Sequence, residues 1–158
     1  MRIINGNLWD SKDDIILVTA NSYINSRGEL VMGRGAALEL KNKRKDLPYL
    51  FADGIKNICG HLGRYGIIYE LILPAFGFVK ARQVYGIFQV KYHFRANADL
   101  RLIKYSTFKL WELLNGVLLN KTISINFPGI GYGHLKYEDV LPAIDYLDDN
   151  VTFYLRDI

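Results

Sequence analysis

Two segments of the chain combine residue types that suit the binding of a phosphate group. The first, loop 1, is Val31–Ala37 and reads VMGRGAA before a run of helix-forming residues. Glycines let the backbone approach a ligand closely, and the free amides at a helix N-terminus attract an anion. The second, loop 2, is Pro128–His134 and reads PGIGYGH. Its three glycines, spaced by two, can expose amides as an anion-binding nest. Together the two loops could hold a diphosphate.

Histidines are the other candidates for chemistry. His134 closes loop 2 and could titrate near neutral pH, so it is a candidate for contact with a substrate. His61, His93 and His134 show no metal-ligand spacing and no accompanying carboxylate pair. We therefore expect no metal and no other cofactor.

The elements that must position these loops follow from hydrophobic periodicity. Strands are predicted at Ile15–Ala20, Gly66–Leu73, Val84–Lys91, Thr122–Phe127 and Val151–Arg156, with Pro74–Ala81 as a turn between the second and third. Helices are predicted after Gly35, over Leu47–Cys59, from an Asp99 cap to about Asn115, and over Tyr137–Asp148. This alternation predicts an α/β fold, a three-layer α/β/α domain with a mixed central sheet. In such sheets ligands bind beyond the carboxyl ends of central strands, which is where Ala20 and Phe127 lead into the two loops.

Composition narrows the class of protein. The 158 residues, half of them hydrophobic, fit one domain spanning 1–158. No apolar run approaches the roughly 18 residues of a membrane span, and no signal peptide is recognisable at the start, so we expect a cytoplasmic monomer with no membrane partner. Cys59 is the only cysteine, which excludes an internal disulfide, and we expect it to fill space in the core. The net charge of +4 suits an anionic ligand.

Four segments in order resemble the macrodomain pattern: Gly6–Asp10, Asp14–Ser22, Met32–Ala37 and Pro128–Gly133. The similarity in order and spacing covers almost the whole chain. The VMGRGAAL version of loop 1 resembles the branch that contains terminal ADP-ribose protein glycohydrolases and the antitoxin macrodomains that remove ADP-ribose from DNA. The resemblance implies ADP-ribose, or an ADP-ribosylated protein, DNA or small molecule, as the ligand.

The resemblance also implies roles for particular residues. Asn21 would contact the distal ribose, the two loops would surround the diphosphate, and Ile130 and Tyr132 would pack over the ligand. The implied substrate-binding residues are Asn7, Leu8, Asn21, Ser22, Met32, Gly33, Arg34, Gly35, Ala36, Pro128, Gly129, Ile130, Gly131, Tyr132 and Gly133.

For catalysis, the resemblance points to Lys91, whose Gln89-Val90-Lys91 setting at a strand end looks like the place where the lysine-dependent glycohydrolases keep their nucleophile. A neutral amine is required there, so the pKa of Lys91 must be lowered from roughly 10.4. We expect Lys91, His93 and Arg95 to project to one side of an extended strand, so that neighbouring positive charge lowers that pKa.

The sequence departs from the family pattern at two places. Asn7 stands where many macrodomains have an aspartate that accepts the adenine amine, and an amide oxygen accepts that bond without charge assistance. The aspartate that follows the second glycine loop in the lysine-dependent glycohydrolases is missing here, so His134 or Glu138 would have to replace it.

Three functions stay open: a hydrolase that releases ADP-ribose (an ADP-ribosyl glycohydrolase or an ADP-ribose 1″-phosphate phosphatase), a non-catalytic ADP-ribose-binding module, and a basic RNA- or nucleotide-binding domain that stacks Tyr and Phe on bases.

Overall fold

A computed structural model describes residues 1–70 and 83–156, and its centre is a six-stranded sheet. The strands are β1 (Arg2–Asn5), β2 (Ile15–Ala20), β3 (Ile67–Tyr69), β4 (Val84–Gln89), β5 (Ile123–Asn126) and β6 (Val151–Leu155). Their order is β1-β6-β5-β2-β4-β3, and only β3 is antiparallel to its neighbour, β4. The sheet is therefore mixed, as predicted.

Helices cover both faces of this sheet. They are α1 (Gly35–Lys43), α2 (Leu47–Ile58), α3 (Leu100–Leu114) and α4 (Tyr137–Ile144). Alternate residues of β2 point to opposite faces: Ile16 and Val18 join the core that contains α1 and α2, and Ile15 and Leu17 join the core that contains α3 and α4. Burial on both faces explains why this strand reads as a continuous apolar run. The predicted three-layer α/β/α domain is confirmed.

Several boundaries differ from the prediction. The strand predicted to reach Lys91 ends at Gln89, and the helix predicted to reach Asp148 ends at Ile144, two residues after Pro142. Strand β1 was not predicted, because it is a short edge strand whose residues are mostly exposed. Cys59 is exposed just beyond α2, so its expected core position was wrong. The predicted Pro74–Ala81 turn and the end of the predicted Gly66–Leu73 strand lie outside the described residues.

The two central connections define the site. Strands β2, β4 and β5 are parallel neighbours, so their carboxyl ends meet at one edge of the sheet. Loop 1, residues 90–97 and loop 2 all continue from that edge. No helix in residues 1–70 and 83–156 is long and apolar enough to cross a membrane.

Candidate functional site

A cleft of about 600 Å³ opens at the carboxyl edge of the sheet. Its walls are loop 1, loop 2 and the segment 90–97 that connects β4 to α3, and Thr19, Ala20 and Asn126 line it at the strand ends. Thr19 and Asn126 bind each other twice, because Asn126 Oδ1 accepts from the Thr19 amide at 2.9 Å and Asn126 Nδ2 donates to Thr19 Oγ1 at 2.8 Å. This pair fixes the ends of β2 and β5 relative to each other.

Loop 1 presents the N-terminus of α1 to the cleft. Arg34 precedes the helix in an extended conformation, and its side chain makes no capping hydrogen bond. Gly35 has a φ of +57°, a left-handed conformation that favours glycine. Within the described part of the chain, the amides of Gly35, Ala36 and Ala37 donate to no acceptor, as is usual in a first helical turn. These amides are available to an anion.

The glycines of loop 2 serve different purposes. An added Cβ at Gly129 would lie 2.7 Å from Ile103 Cδ1, and one at Gly133 would lie 2.9 Å from Ala98 Cβ. Both are therefore required by packing against the start of α3. Gly131 has a φ of +65°, and an added Cβ there would have no atom within 4 Å. Packing does not explain Gly131, which begins the 3-10 turn Gly131–Gly133.

The two loops contact each other. The Arg34 guanidinium lies over the Tyr132 ring, with 5.3 Å between its central carbon and the ring centroid. An added Cβ at Gly35 would lie 3.8 Å from the same ring. Tyr132 is 60% exposed, so the contact is made at the surface of the protein. Arg34 and Tyr132 thus join the loops that line the cleft.

Lys91 lies in the third wall and is half-buried. Its amine donates to the carbonyl oxygen of Phe94 at 3.1 Å. Burial, and secondarily the positive charge of Arg34, lower the pKa of Lys91. The direction is the one that a nucleophilic amine requires.

Positive charge contributes to that shift as expected, but it comes from Arg34 and not from His93 or Arg95, and burial is the larger cause. Because β4 ends at Gln89, Lys91, His93 and Arg95 do not continue one extended strand. The His93 ring stacks on Phe94 at 4.5 Å and meets the Tyr23 ring edge-on at 4.7 Å, while its Nδ1 accepts from the Arg95 amide. His93 therefore belongs to an aromatic cluster beside the cleft.

The charge of the cleft is one-sided. Of the described residues that line it, Arg34, Lys91 and Arg95 are basic, His134 is an imidazole, and none is an aspartate or glutamate. Such a lining attracts an anion and offers no carboxylate for proton transfer. Glu138, one of the two expected replacements for the missing aspartate, is exposed in the first turn of α4 and does not line the cleft.

Asn21 lines the cleft but already has internal partners. Its Nδ2 donates to the carbonyl of Val31 at 2.9 Å, and its Oδ1 accepts from the amide of Tyr23 at 2.8 Å. Only 6% of the residue is exposed. Asn21 therefore holds loop 1 to the end of β2, and one amide hydrogen and one lone pair of the side chain are left for a ligand.

The structure brings together most of the predicted site residues. Those in the lining are Asn21, Met32, Gly33, Arg34, Gly35, Ala36, Lys91, Gly129, Ile130, Tyr132, Gly133 and His134. Those outside it are Asn7, Leu8, Ser22, Pro128 and Gly131.

The predicted residues outside the lining have other surroundings. Asn7 caps the 3-10 turn Leu8–Asp10, where its Oδ1 accepts from the Trp9 amide at 3.0 Å. The Leu8 side chain is 2% exposed and packs in the core. Ser22 is fully buried and accepts from Gln89 Nε2 at 3.1 Å, and Pro128 is buried. The side chains of Leu8, Ser22 and Pro128 are therefore buried inside the protein and do not line the cleft.

Sequence reasoning missed several lining residues: Thr19, Asn126, Phe94, Ala96 and Asn97. Asn126 carried a weak signal, since it is a polar residue at the carboxyl end of the predicted strand Thr122–Phe127, where ligands bind in such sheets. Residues 94–97 carried no such signal. They form a short irregular connection without periodicity, so the sequence does not show which of their side chains face the cleft.

Fold and site together define a class: a three-layer α/β/α domain with a cleft, lined by basic residues and by no carboxylate among those described, between two glycine loops. Solved structures resemble this chain over almost its full length. The chain matches Thermosipho africanus DarTG in complex with ADP-ribose with a TM-score of 0.77 and 17% identity, over 99% of this chain and 41% of that one. It matches the macrodomain of Thermus aquaticus DarG with a TM-score of 0.71 and 18% identity, over 99% and 97% of the two chains. It matches the macrodomain of Mycobacterium tuberculosis DarG with a TM-score of 0.70 and 20% identity, over 97% of this chain and 95% of that one.

The chain therefore has the macrodomain fold, and the resemblance expected from the sequence is confirmed at that level. No protein-family model matches the sequence, and no curated protein matches it. The chain spans less than half of the Thermosipho protein but nearly all of the Thermus and Mycobacterium macrodomains.

Proposed function

We propose that this protein binds ADP-ribose, with the diphosphate between loop 1 and loop 2. The observation that carries the proposal is the cleft itself: unpartnered amides at the start of α1, a glycine turn opposite them, and a lining of basic residues with no carboxylate among those described. A diphosphate satisfies the amides and balances the charge. Two further findings support the proposal: the macrodomain fold, and the ADP-ribose in the Thermosipho DarTG complex.

We further propose that Lys91 acts as a nucleophile and that the protein is a hydrolase. The neutral amine forms a bond to the anomeric carbon of the distal ribose, while the bond from that carbon to the carrier group breaks and its electrons leave with the carrier. His134, an imidazole in the lining, donates the proton that the carrier needs. Water then adds to the same carbon and gives a proton to His134, which restores its protonated form. The bond to Lys91 breaks with its electrons returning to the nitrogen, so ADP-ribose and the free amine are restored.

A non-catalytic ADP-ribose-binding module is the second candidate. Two observations favour it: the lining, as far as the structure describes it, has no carboxylate to transfer protons, and the Lys91 amine is already held by the Phe94 carbonyl. In this case the same cleft retains ADP-ribose, free or attached to a carrier, without cleaving it. The fold does not distinguish the two functions.

Calorimetric titration with ADP-ribose tests binding. We expect a dissociation constant in the micromolar range, about −8 kcal/mol. Absence of heat at millimolar ligand, combined with binding of oligonucleotides, would replace the proposal by the nucleic-acid-binding alternative.

Hydrolysis is tested by comparing wild type with Lys91→Ala on ADP-ribosylated DNA, on a glutamate-linked protein ester and on ADP-ribose 1″-phosphate. Release by wild type that vanishes in the variant, with ADP-ribose binding retained, supports the nucleophile. Equal release by both proteins eliminates Lys91. No release by either favours the binding module.

Three further expectations remain proposals: that the chain is a single domain, that it is a monomer, and that it acts in the cytoplasm. Size-exclusion chromatography with light scattering tests the second directly.

A further inference from the structure

We propose that Tyr65 is a positioning residue of the cleft: its buried hydroxyl holds the Asn21–Ser22 peptide, and through that peptide it fixes the direction in which the Asn21 side chain faces a ligand. The inference rests on the proposed function, since the resemblance places the distal ribose of ADP-ribose against Asn21. It goes beyond that function, because Tyr65 belongs to neither glycine loop and does not line the cleft.

The Tyr65 side chain reaches the end of β2 from the segment before β3. Tyr65 is 4% exposed, and its hydroxyl donates to the Asn21 carbonyl at 2.7 Å. Within the described ranges this carbonyl accepts from no other group. Burial raises the pKa of Tyr65 well above its usual value, so the hydroxyl keeps its proton and serves as the donor. A bond between residues 44 positions apart therefore sets the orientation of one peptide at the edge of the cleft.

The other side of the same peptide is also held. The Ser22 amide donates to the Tyr92 carbonyl at 3.1 Å, and Tyr92 follows Lys91 in the third wall of the cleft. In a trans peptide the C=O and N–H groups point in opposite directions, so the two bonds hold the Asn21–Ser22 peptide between two separate segments of the chain. Rotation of this peptide requires that both bonds break.

Tyr65 is itself fixed at its backbone. Its amide donates to Gln89 Oε1 at 2.8 Å, and Gln89 Nε2 donates to the Gly63 carbonyl at 2.9 Å. Gln89 is fully buried at the end of β4. A donor on such a fixed base loses little conformational entropy when it bonds, so the Asn21 carbonyl is kept in one orientation.

The orientation of this peptide decides what Asn21 presents to the cleft. The side chain already donates to the Val31 carbonyl and accepts from the Tyr23 amide, which leaves one amide hydrogen and one lone pair for a ligand. Without the Tyr65 hydroxyl a buried carbonyl has no partner, and the peptide gains by turning toward another donor. The Asn21 side chain then turns away from the ribose. The amides of α1 belong to another element, so contact with the diphosphate is retained.

Tyr65→Phe tests the proposal, because it removes the hydroxyl and keeps the ring. We expect ADP-ribose affinity, measured by calorimetry, to fall about fivefold or more, whereas affinity for ADP, which lacks the distal ribose, changes by about twofold or less. Thr107→Val is the matched control: it removes a buried hydroxyl that donates to the Ile103 carbonyl at 2.7 Å within α3. It should lower stability similarly and leave both affinities unchanged.

Amide hydrogen exchange of the ligand-free protein, followed by NMR, gives a second readout. In wild type the Ser22 and Tyr23 amides should be protected, since both are hydrogen-bonded. Tyr65→Phe should speed exchange at these two amides more than at the centre of β2, whereas Thr107→Val should not favour them. Fast exchange of the two amides in wild type overturns the proposal without any variant.

Equal losses of ADP-ribose and ADP affinity in Tyr65→Phe, or no loss of either, also overturn the role of Tyr65. Where ADP binds too weakly to measure, the loss of ADP-ribose affinity must exceed that of Thr107→Val. The proposed function fails separately, if wild type shows no heat with ADP-ribose. The purpose assigned to Tyr65 then fails with it, and the exchange data decide only whether the hydroxyl holds the peptide.

Discussion

Gly131 is the residue of loop 2 at which a substitution tests the proposed diphosphate site most directly. Its φ of +65° permits a side chain only with strain, yet an added Cβ meets no atom within 4 Å. We expect Gly131→Glu to weaken ADP-ribose binding at least tenfold, about 1.4 kcal/mol, because it adds negative charge to loop 2 between Ile130 and Tyr132, which line the cleft. Calorimetry measures the loss.

Gly131→Ala is the matched control for backbone strain. It should cost about 1–2 kcal/mol of stability, as a left-handed residue with a Cβ does, and should reduce binding less than Gly131→Glu. Gly129→Ala should instead destabilise the fold, because its Cβ would lie 2.7 Å from Ile103 Cδ1. Unchanged affinity in folded Gly131→Glu protein would reject the placement of the diphosphate.

Asn21 combines a structural and a predicted binding role. Asn21→Ala removes the bond to the Val31 carbonyl and the one from the Tyr23 amide, so we expect a loss of stability of about 1–3 kcal/mol in urea unfolding. If its remaining amide hydrogen contacts the distal ribose, the variant should also bind ADP-ribose much more weakly while AMP binding changes little. Equal losses for the two ligands would assign Asn21 to loop support alone.

What the sequence could predict at this scale depended on the kind of residue. The glycines of loop 1 and loop 2 were identified from type and spacing, and most of their residues line the cleft. The environment of Lys91 was not predicted, because the cleft that half-buries it is built from segments as far apart in the chain as Arg34 and His134. No local pattern encodes a contact of that separation.

Gln89 connects the elements that shape the cleft. It is fully buried at the end of β4, and its Oε1 accepts from the amides of Tyr65 at 2.8 Å and Gly66 at 3.2 Å. Its Nε2 donates to the Gly63 carbonyl at 2.9 Å and to Ser22 Oγ at 3.1 Å. One side chain thereby ties the end of β4 to the segment before β3 and to the segment after β2.

We expect Gln89→Leu to lower the free energy of unfolding by about 3 kcal/mol or more, because it leaves buried amides and a carbonyl without partners while nearly conserving volume. Urea unfolding measures the change, which should appear in the midpoint with an unaltered slope. Ser106→Ala serves as the control: it removes a single bond, from Ser106 Oγ to the Gln89 carbonyl at 2.7 Å, and should cost about 1 kcal/mol. Equal losses in the two variants would contradict the central role of Gln89.

Elements with a buried face were predictable from the sequence, and the exposed strand at the edge of the sheet was not. The apolar run of β2 and the helical spacing of α3 gave the layers of the domain, because burial imposes a period on the sequence. Strand β1 pairs only with β6 at the sheet edge, where solvent relaxes that requirement. The end of β4 was predicted at Lys91, two residues late. Val90 still donates to the Ala20 carbonyl at 2.9 Å although the strand ends at Gln89, so the sheet-like bonding fades gradually there.

At the scale of the whole molecule, the distribution of charge matters more than the net value of +4. The basic cluster Lys41, Lys43, Arg44 and Lys45 lies at the opposite end of α1 from the cleft. Arg44 there is paired with Asp46 and Glu70. The cleft, in contrast, collects Arg34, Lys91 and Arg95 from two separate connections. The fold therefore concentrates positive potential where the carboxyl ends of the strands meet.

This distribution predicts how binding responds to salt. A diphosphate carries about two charges, so the plot of log K against log salt should have a shallow slope, no steeper than about −2, whereas an oligonucleotide spanning several phosphates gives about −0.7 per neutralised phosphate. We expect ADP-ribose affinity to fall only a few-fold between low and high salt, since contacts within the cleft are screened less than exposed ones.

Arg95→Gln, which removes a cleft charge, should flatten the slope of log K against log salt. Lys45→Gln removes the same charge from the far end of α1 and should leave the slope unchanged. A steep slope for oligonucleotides, together with no response to ADP-ribose, would show that the positive surface serves a nucleic acid and not a diphosphate in the cleft.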